Sequence, residues 1–69
     1  MGQRFEYVGG SSAKFWEIKV DGAEVTVRYG RIGADGQQLT KPFADPAAAR
    51  RHADGLIRAK VAKGYVAAA

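Results

Sequence analysis

The residues best equipped for chemistry are concentrated in one stretch, Tyr29-Gly30-Arg31-Ile32-Gly33-Ala34-Asp35-Gly36-Gln37. Arg31 brings a rigid fork of donors that matches phosphate or carboxylate. Tyr29, two residues earlier, offers a flat ring with a polar tip. Glycine at 30, 33 and 36 lets the backbone turn tightly and come close to another molecule. This combination suits the binding of an anionic group. Two plainer readings stand beside it. Arg31 also reads as a solvated turn residue or the ion-pair partner of Asp35. Tyr29 continues an apolar alternation and also reads as core.

Other chemistry is poorly supplied. There is no cysteine, so disulfides and thiolate metal sites are absent. The single histidine, His52, would need carboxylates or waters to complete a zinc site, and no such cluster appears. No pair of carboxylates has an evident shared site. A hydrolytic enzyme would need a carboxylate or His52 in a pocket that perturbs its pKa, and none is expected. The sequence therefore predicts no enzyme, no cofactor and no metal. Gly30-Arg31-Ile32-Gly33 matches the G-x-x-G string of KH domains. That loop joins two helices, whereas this one lies between two strands, so the match is rejected. The glycine spacing fits neither the dinucleotide nor the P-loop pattern.

The elements that must position the stretch follow from periodicity. Arg4-Phe5-Glu6-Tyr7-Val8 alternates as a half-buried strand does. Lys14 to Val20 is a second strand, rich in aromatic and β-branched residues. Asp21-Gly22 is a hairpin signal, and Glu24 to Tyr29 is the third strand. With Asp21 and Gly22 as the loop, Val20 faces Ala23, Ile18 faces Val25 and Trp16 faces Val27 on one apolar face. Lys19 with Glu24, Glu17 with Thr26 and Phe15 with Arg28 fall on the other. Asp35-Gly36 turns the chain into a fourth strand over about Gln37 to Phe43, and Pro42 places it at an edge. Continued alternation points Arg31 toward the buried face. Either a bulge at Gly30 rotates it outward, or it lies past the end of the helix.

Asp45-Pro46 is a helix start, an N-cap followed by Pro at the first helical position. The helix runs to about Lys63, and Gly64 ends it. Ala49, Ala53, Leu56 and Ile57 form its apolar stripe, which should cover the Trp16 face of the sheet. Arg51, Asp54 and Arg58 lie on the opposite side at ion-pair spacing. Lys60 falls inside the apolar stripe, so its amine must snorkel to the rim. Gly55 sits mid-helix, where it costs about 1 kcal/mol against alanine. The fold expected is α+β: a four-stranded antiparallel meander packed on one face by a single C-terminal helix. Residues 1–69 form one domain, ordered over about 4–66, with 67–69 as a frayed tail.

Composition bounds the partners. The chain has 69 residues, a size that buries only about 60% of its unfolded surface. Its net charge is +4 and its isoelectric point is near 9.8, which makes nucleic acid a reasonable partner. No apolar run approaches the ~20 residues needed to span a membrane, and no signal peptide is visible. A monomeric cytoplasmic protein is the expectation.

Lys14-Phe15-Trp16-Glu17-Ile18, Val27-Arg28-Tyr29-Gly30-Arg31-Ile32-Gly33, Gly36-Gln37, Lys41-Pro42-Phe43, Ala49, Leu56-Ile57, Lys60 and Lys63-Gly64-Tyr65 occur in an order and spacing that resembles a WGR domain. The likeness runs from about Phe5 to Tyr65. The family's Trp-Gly-Arg falls on Tyr29-Gly30-Arg31, so tyrosine replaces tryptophan. Standalone bacterial members exist, and the domain also occurs in DNA-dependent poly(ADP-ribose) polymerases. There it contacts DNA near a strand break and relays binding to the catalytic part. The resemblance thus implies a DNA-binding module and nominates Tyr29, Gly30, Arg31 and Gly33. Gln38 and Lys41 join them by proximity in the following strand. Such a module would hold the sugar–phosphate backbone, at an end or nick, without reading sequence. The alternative partner is an acidic protein surface met by Arg31, with the domain acting as an interaction or relay module. ADP-ribosyl transfer is not implied.

Overall fold

The computed structural model describes residues 2–68. Five strands and one helix follow in the order β1 (Gly2–Gly9), β2 (Ser12–Asp21), β3 (Glu24–Arg31), β4 (Gln37–Pro42), α1 (Pro46–Ala62) and β5 (Val66–Ala68). The sheet is antiparallel with spatial order β4-β3-β2-β1-β5. The α+β class and the four-strand meander are as expected. Three parts of the expectation are corrected. The sheet has five strands, because Val66–Ala68 pairs with β1 (Arg4 opposite Ala68, Glu6 opposite Val66). The helix is therefore not the last element, and Ala67 and Ala68 lie in a strand rather than a tail. Ala69 lies outside the described residues.

The β2–β3 register is offset by two residues from the expected one. Gly22 and Ala23 are the loop, with Gly22 at φ +59°, and Asp21 pairs Glu24. Glycine at the first loop position suits the backbone twist of a two-residue hairpin. A shift of two keeps every side chain on its expected face. It changes the partners: Glu17 now lies opposite Arg28 and Trp16 opposite Tyr29.

The core lies between the sheet and α1. Phe5, Trp16, Ile18 and Val25 meet Ala49 and Ala53, with Leu56, Ile57, Phe43, Val27 and Tyr65 packed around them. Asp45 caps the helix by accepting from the Ala48 N–H at 2.8 Å. At the other end Gly64, at φ +103°, lets the Tyr65 N–H reach the Lys60 carbonyl at 3.1 Å and the Gly64 N–H reach that of Val61 at 3.0 Å. This paired closure satisfies the last carbonyls and swings the chain back to the sheet. Tyr65 then packs against Tyr7 with the rings tilted by 46° and their centroids 5.6 Å apart.

The face without a helix is closed differently. Phe15 points there yet is only 2% exposed. The Arg4 and Arg28 guanidinium carbons lie 4.6 and 5.0 Å from its ring centroid. Glu17 binds both arginines, at 2.6 Å to Arg4 Nη1 and 3.0 Å to Arg28 Nε. All three ion pairs among the described residues belong to this network, the third joining Arg4 and Glu6.

Candidate nucleic-acid interface

Arg31 closes β3 with the ladder intact: Gly30 pairs Phe15 and Arg31 pairs Lys14. No bulge rotates it outward. It keeps the parity of Val25, Val27 and Tyr29, facing the helix side of the sheet, and is exposed. It forms no ion pair with Asp35 among the described residues. The Asp35 carbonyl instead accepts from Arg28 Nη1 at 2.7 Å.

The glycines of the turn do different work. Gly30 and Gly36 touch: a Cβ on Gly30 would lie 2.8 Å from Gly36 Cα, and one on Gly36 would lie 2.4 Å from the Tyr29 carbonyl oxygen and 2.9 Å from Phe15 Cζ. Their absent side chains let the turn fold down over Phe15. Gly33, at φ +98°, has open space around it. Tyr29 is half-exposed, and its hydroxyl donates to Gln37 Oε1 at 3.2 Å.

Cations from three elements line two neighbouring cavities. Lys14 on β2 is the ladder partner of Arg31 on β3. Lys60 and Lys63 arrive from the last turn of α1 and its cap. Lys60 lays its stem along the apolar stripe. Its Nζ sits 5.6 Å from the Trp16 ring centroid and 5.1 Å from that of Tyr65. Lys14 Nζ stands 5.5 Å from the Tyr7 centroid. A cavity of about 380 Å³ is lined by Tyr7, Ser12, Lys14, Lys60, Lys63 and Tyr65. A neighbouring one of about 250 Å³ is lined by Ser11, Ser12, Lys14, Arg31 and Ile32. The two share walls at Ser12 and Lys14, and no carboxylate lines either. The Lys60 pKa is lowered, first by burial and then by the charges of Lys63 and Lys14.

The nominated residues are thus divided. Tyr29 and Arg31 share one end of the helix-side face. Gly30 shapes the turn beneath them, and Gly33 is its exposed apex. Gln38 pairs Arg28 and lines the recess of the opposite face with Arg4, Glu17 and Arg28. Lys41 pairs Val25, four residues along the strand from Gln37, and its amine lies 5.5 Å from the Phe43 ring centroid. Neither lines the cavities that hold Lys14, Arg31, Lys60 and Lys63. Lys14 and Lys63 were absent from the nominations. Lys60 stood out only as a cation in an apolar stripe.

The chain matches the WGR domain model over residues 3–69. It is 40% identical over 65 residues to the Escherichia coli protein YfeS, described as uncharacterized, covering 94% of this chain and 27% of YfeS. It is 39% identical over 64 residues to the Escherichia coli protein YehF, covering 93% of this chain and 23% of YehF. The chain therefore spans about a quarter of the length of these curated relatives. A crystal structure of a Bacteroides fragilis protein superimposes with a TM-score of 0.98 at 40% identity, over 100% of this chain and 20% of that one. This chain belongs to the WGR domain family. The WGR domain is a small binding-type domain, associated with nucleic-acid binding in PARP-like proteins. No helix among the described residues is long and apolar enough to cross a membrane.

Proposed function

We propose that this domain binds the sugar–phosphate backbone of DNA across two neighbouring cavities, one lined by Arg31 and the other by the lysines at the end of α1, that share Lys14. The observation that carries the reading is that Lys14, Lys60 and Lys63 line one cavity and Lys14 and Arg31 its neighbour, with no carboxylate in the walls of either. Like charges so placed repel one another, and a polyanion relieves that repulsion. Tyr29, half-exposed beside Arg31, supplies a ring to pack on a sugar or base. The arginines of the opposite face are neutralised by Glu17 and Glu6 and suit an anion less well. Gln38 and Lys41 are left outside the proposed contact, and Lys14, Lys60 and Lys63 are added to it.

A protein partner is the second reading. It is favoured by Leu39, 60% exposed on β4 on the same side as Tyr29. A pair of side chains is small for a docking surface, so DNA is preferred. The test is anisotropy with labelled duplexes that are intact, nicked or 5′-phosphorylated at a blunt end, for wild type and Arg31→Ala. Binding that weakens in the folded variant supports the reading, and preference among duplexes tells whether ends or nicks matter. No binding at low salt overturns it and points to the Leu39 surface.

A further inference from the structure

Lys60 occupies a stripe whose other packed positions, Ala49, Ala53, Leu56 and Ile57, are apolar. Its amine is held against Trp16 and Tyr65. Lys14, Lys63 and Ser12 line the same cavity. None of the three lysines forms an ion pair among the described residues. Such a cavity has two chemical properties at once. Two ammonium groups attract phosphate-bearing small molecules. The third amine, partly buried beside two like charges, is in the surroundings that favour its neutral, nucleophilic form. The lowered pKa of Lys60 agrees with this.

We propose that Lys60 is a site of direct acylation by acyl phosphates, the class of small molecules that joins a carboxylic acyl group to phosphate. Lys14 and Lys63 hold the phosphate, which brings the acyl carbon to Lys60 Nζ. The amine attacks that carbon and an N–C bond forms. The C–O bond to phosphate breaks, and inorganic phosphate leaves with the bonding pair. The amine proton passes to solvent, and no oxidant or reductant takes part. The product is a neutral amide in place of a cation. This chemistry needs nothing from DNA, so it stands or falls separately from the DNA reading. Where both hold, acylation removes one of the cations that face the backbone.

The test is to treat the 69-residue chain with acetyl phosphate at neutral pH and follow each lysine by peptide mass spectrometry. Exposed Lys19 and Lys41 serve as internal references. Phosphate held by Lys14 and Lys63 places the acyl carbon at Lys60, so Lys60 is expected to react about threefold faster than the references or more. Excess inorganic phosphate should erase that lead, as should the double variant Lys14→Gln, Lys63→Gln. Phenyl acetate, an uncharged acyl donor, should show a smaller lead. A Lys60 rate at or below the references overturns the proposal. So does a lead that survives both phosphate competition and the double variant, since the phosphate would then play no part.

Discussion

Gly36 and Gly33 occupy the same turn and both have positive φ, +76° and +98°, yet alanine should be tolerated very differently at the two. At Gly33 the added methyl meets nothing within 4 Å. The cost there is the backbone strain alone, about 1–2 kcal/mol. At Gly36 the same strain applies, and the methyl lands 2.4 Å from the Tyr29 carbonyl oxygen and 2.9 Å from Phe15 Cζ. Restoring an ordinary 3.4 Å contact means lifting the turn by about 1 Å from the strand. That movement uncovers part of Phe15, worth about 1 kcal/mol. It also stretches the bond from Arg28 to the Asp35 carbonyl, about 1 kcal/mol more. Gly36→Ala should therefore cost about 3–4 kcal/mol, roughly twice the cost of Gly33→Ala or more. A domain of this size has about 3–10 kcal/mol in total, so the first variant loses much of its stability and the second stays folded. Urea unfolding followed by Trp16 fluorescence measures both. Equal losses, or a larger loss at Gly33, would refute the claim that the turn is clamped onto Phe15.

Three further outcomes are expected. If Lys14, Arg31, Lys60 and Lys63 each neutralise one phosphate, log affinity should fall with log salt at a slope of about −3.6, or about 150-fold between 50 and 200 mM. Each single neutralisation should flatten that slope by about 0.9, measured by anisotropy, while Lys19→Ala should leave it unchanged. Glu17 is held below its ordinary pKa of 4.5 by hydrogen bonds from Arg28 and then Arg4, against the opposing effect of burial. Its contribution is thus present above about pH 4.5 and lost as pH falls through the lower folded value. Urea midpoints of wild type and Glu17→Gln should differ at pH 7 and converge toward pH 3; a constant difference would sink that assignment. Lys60→Met keeps the buried stem and removes a partly buried charge, so it should raise the melting temperature while weakening DNA binding. A fall in both would mean that the ammonium stabilises the fold through Trp16 and Tyr65.

Parity and punctuation were legible in the sequence. Alternation in Phe15-Trp16-Glu17-Ile18 assigned faces, and Asp45-Pro46 and Gly64 bounded the helix, because caps and period-2 patterns are local. The β2–β3 register read from Asp21-Gly22 is wrong by two residues, because alternation cannot distinguish a shift of two. β5 was missed because Val66-Ala67-Ala68 has no alternation of its own and is a strand only by pairing with β1. Arg31 and Tyr29 draw attention in the sequence through the glycine turn that carries them. Lys14 looked like any solvated strand residue. Its place in the two cavities depends on lying opposite Arg31 and on where α1 ends, neither of which is a local property. Gln38 and Lys41 were chosen for closeness in sequence, and the pleat sends one to the other face and the strand carries the other to the far end.

The pairing of the first strand with the last has a consequence for how the domain can be used. Arg4 lies opposite Ala68 in an antiparallel ladder, where facing Cα atoms are about 5 Å apart. The backbone thus enters and leaves the fold side by side, like the two wires of a plug. A unit with this geometry can be spliced into a surface loop of a host without prying the host's cut ends apart. It also tolerates rewiring: joining the two ends by a few glycines and reopening the chain at the Gly10-Ser11 tip should give a permuted protein of the same fold.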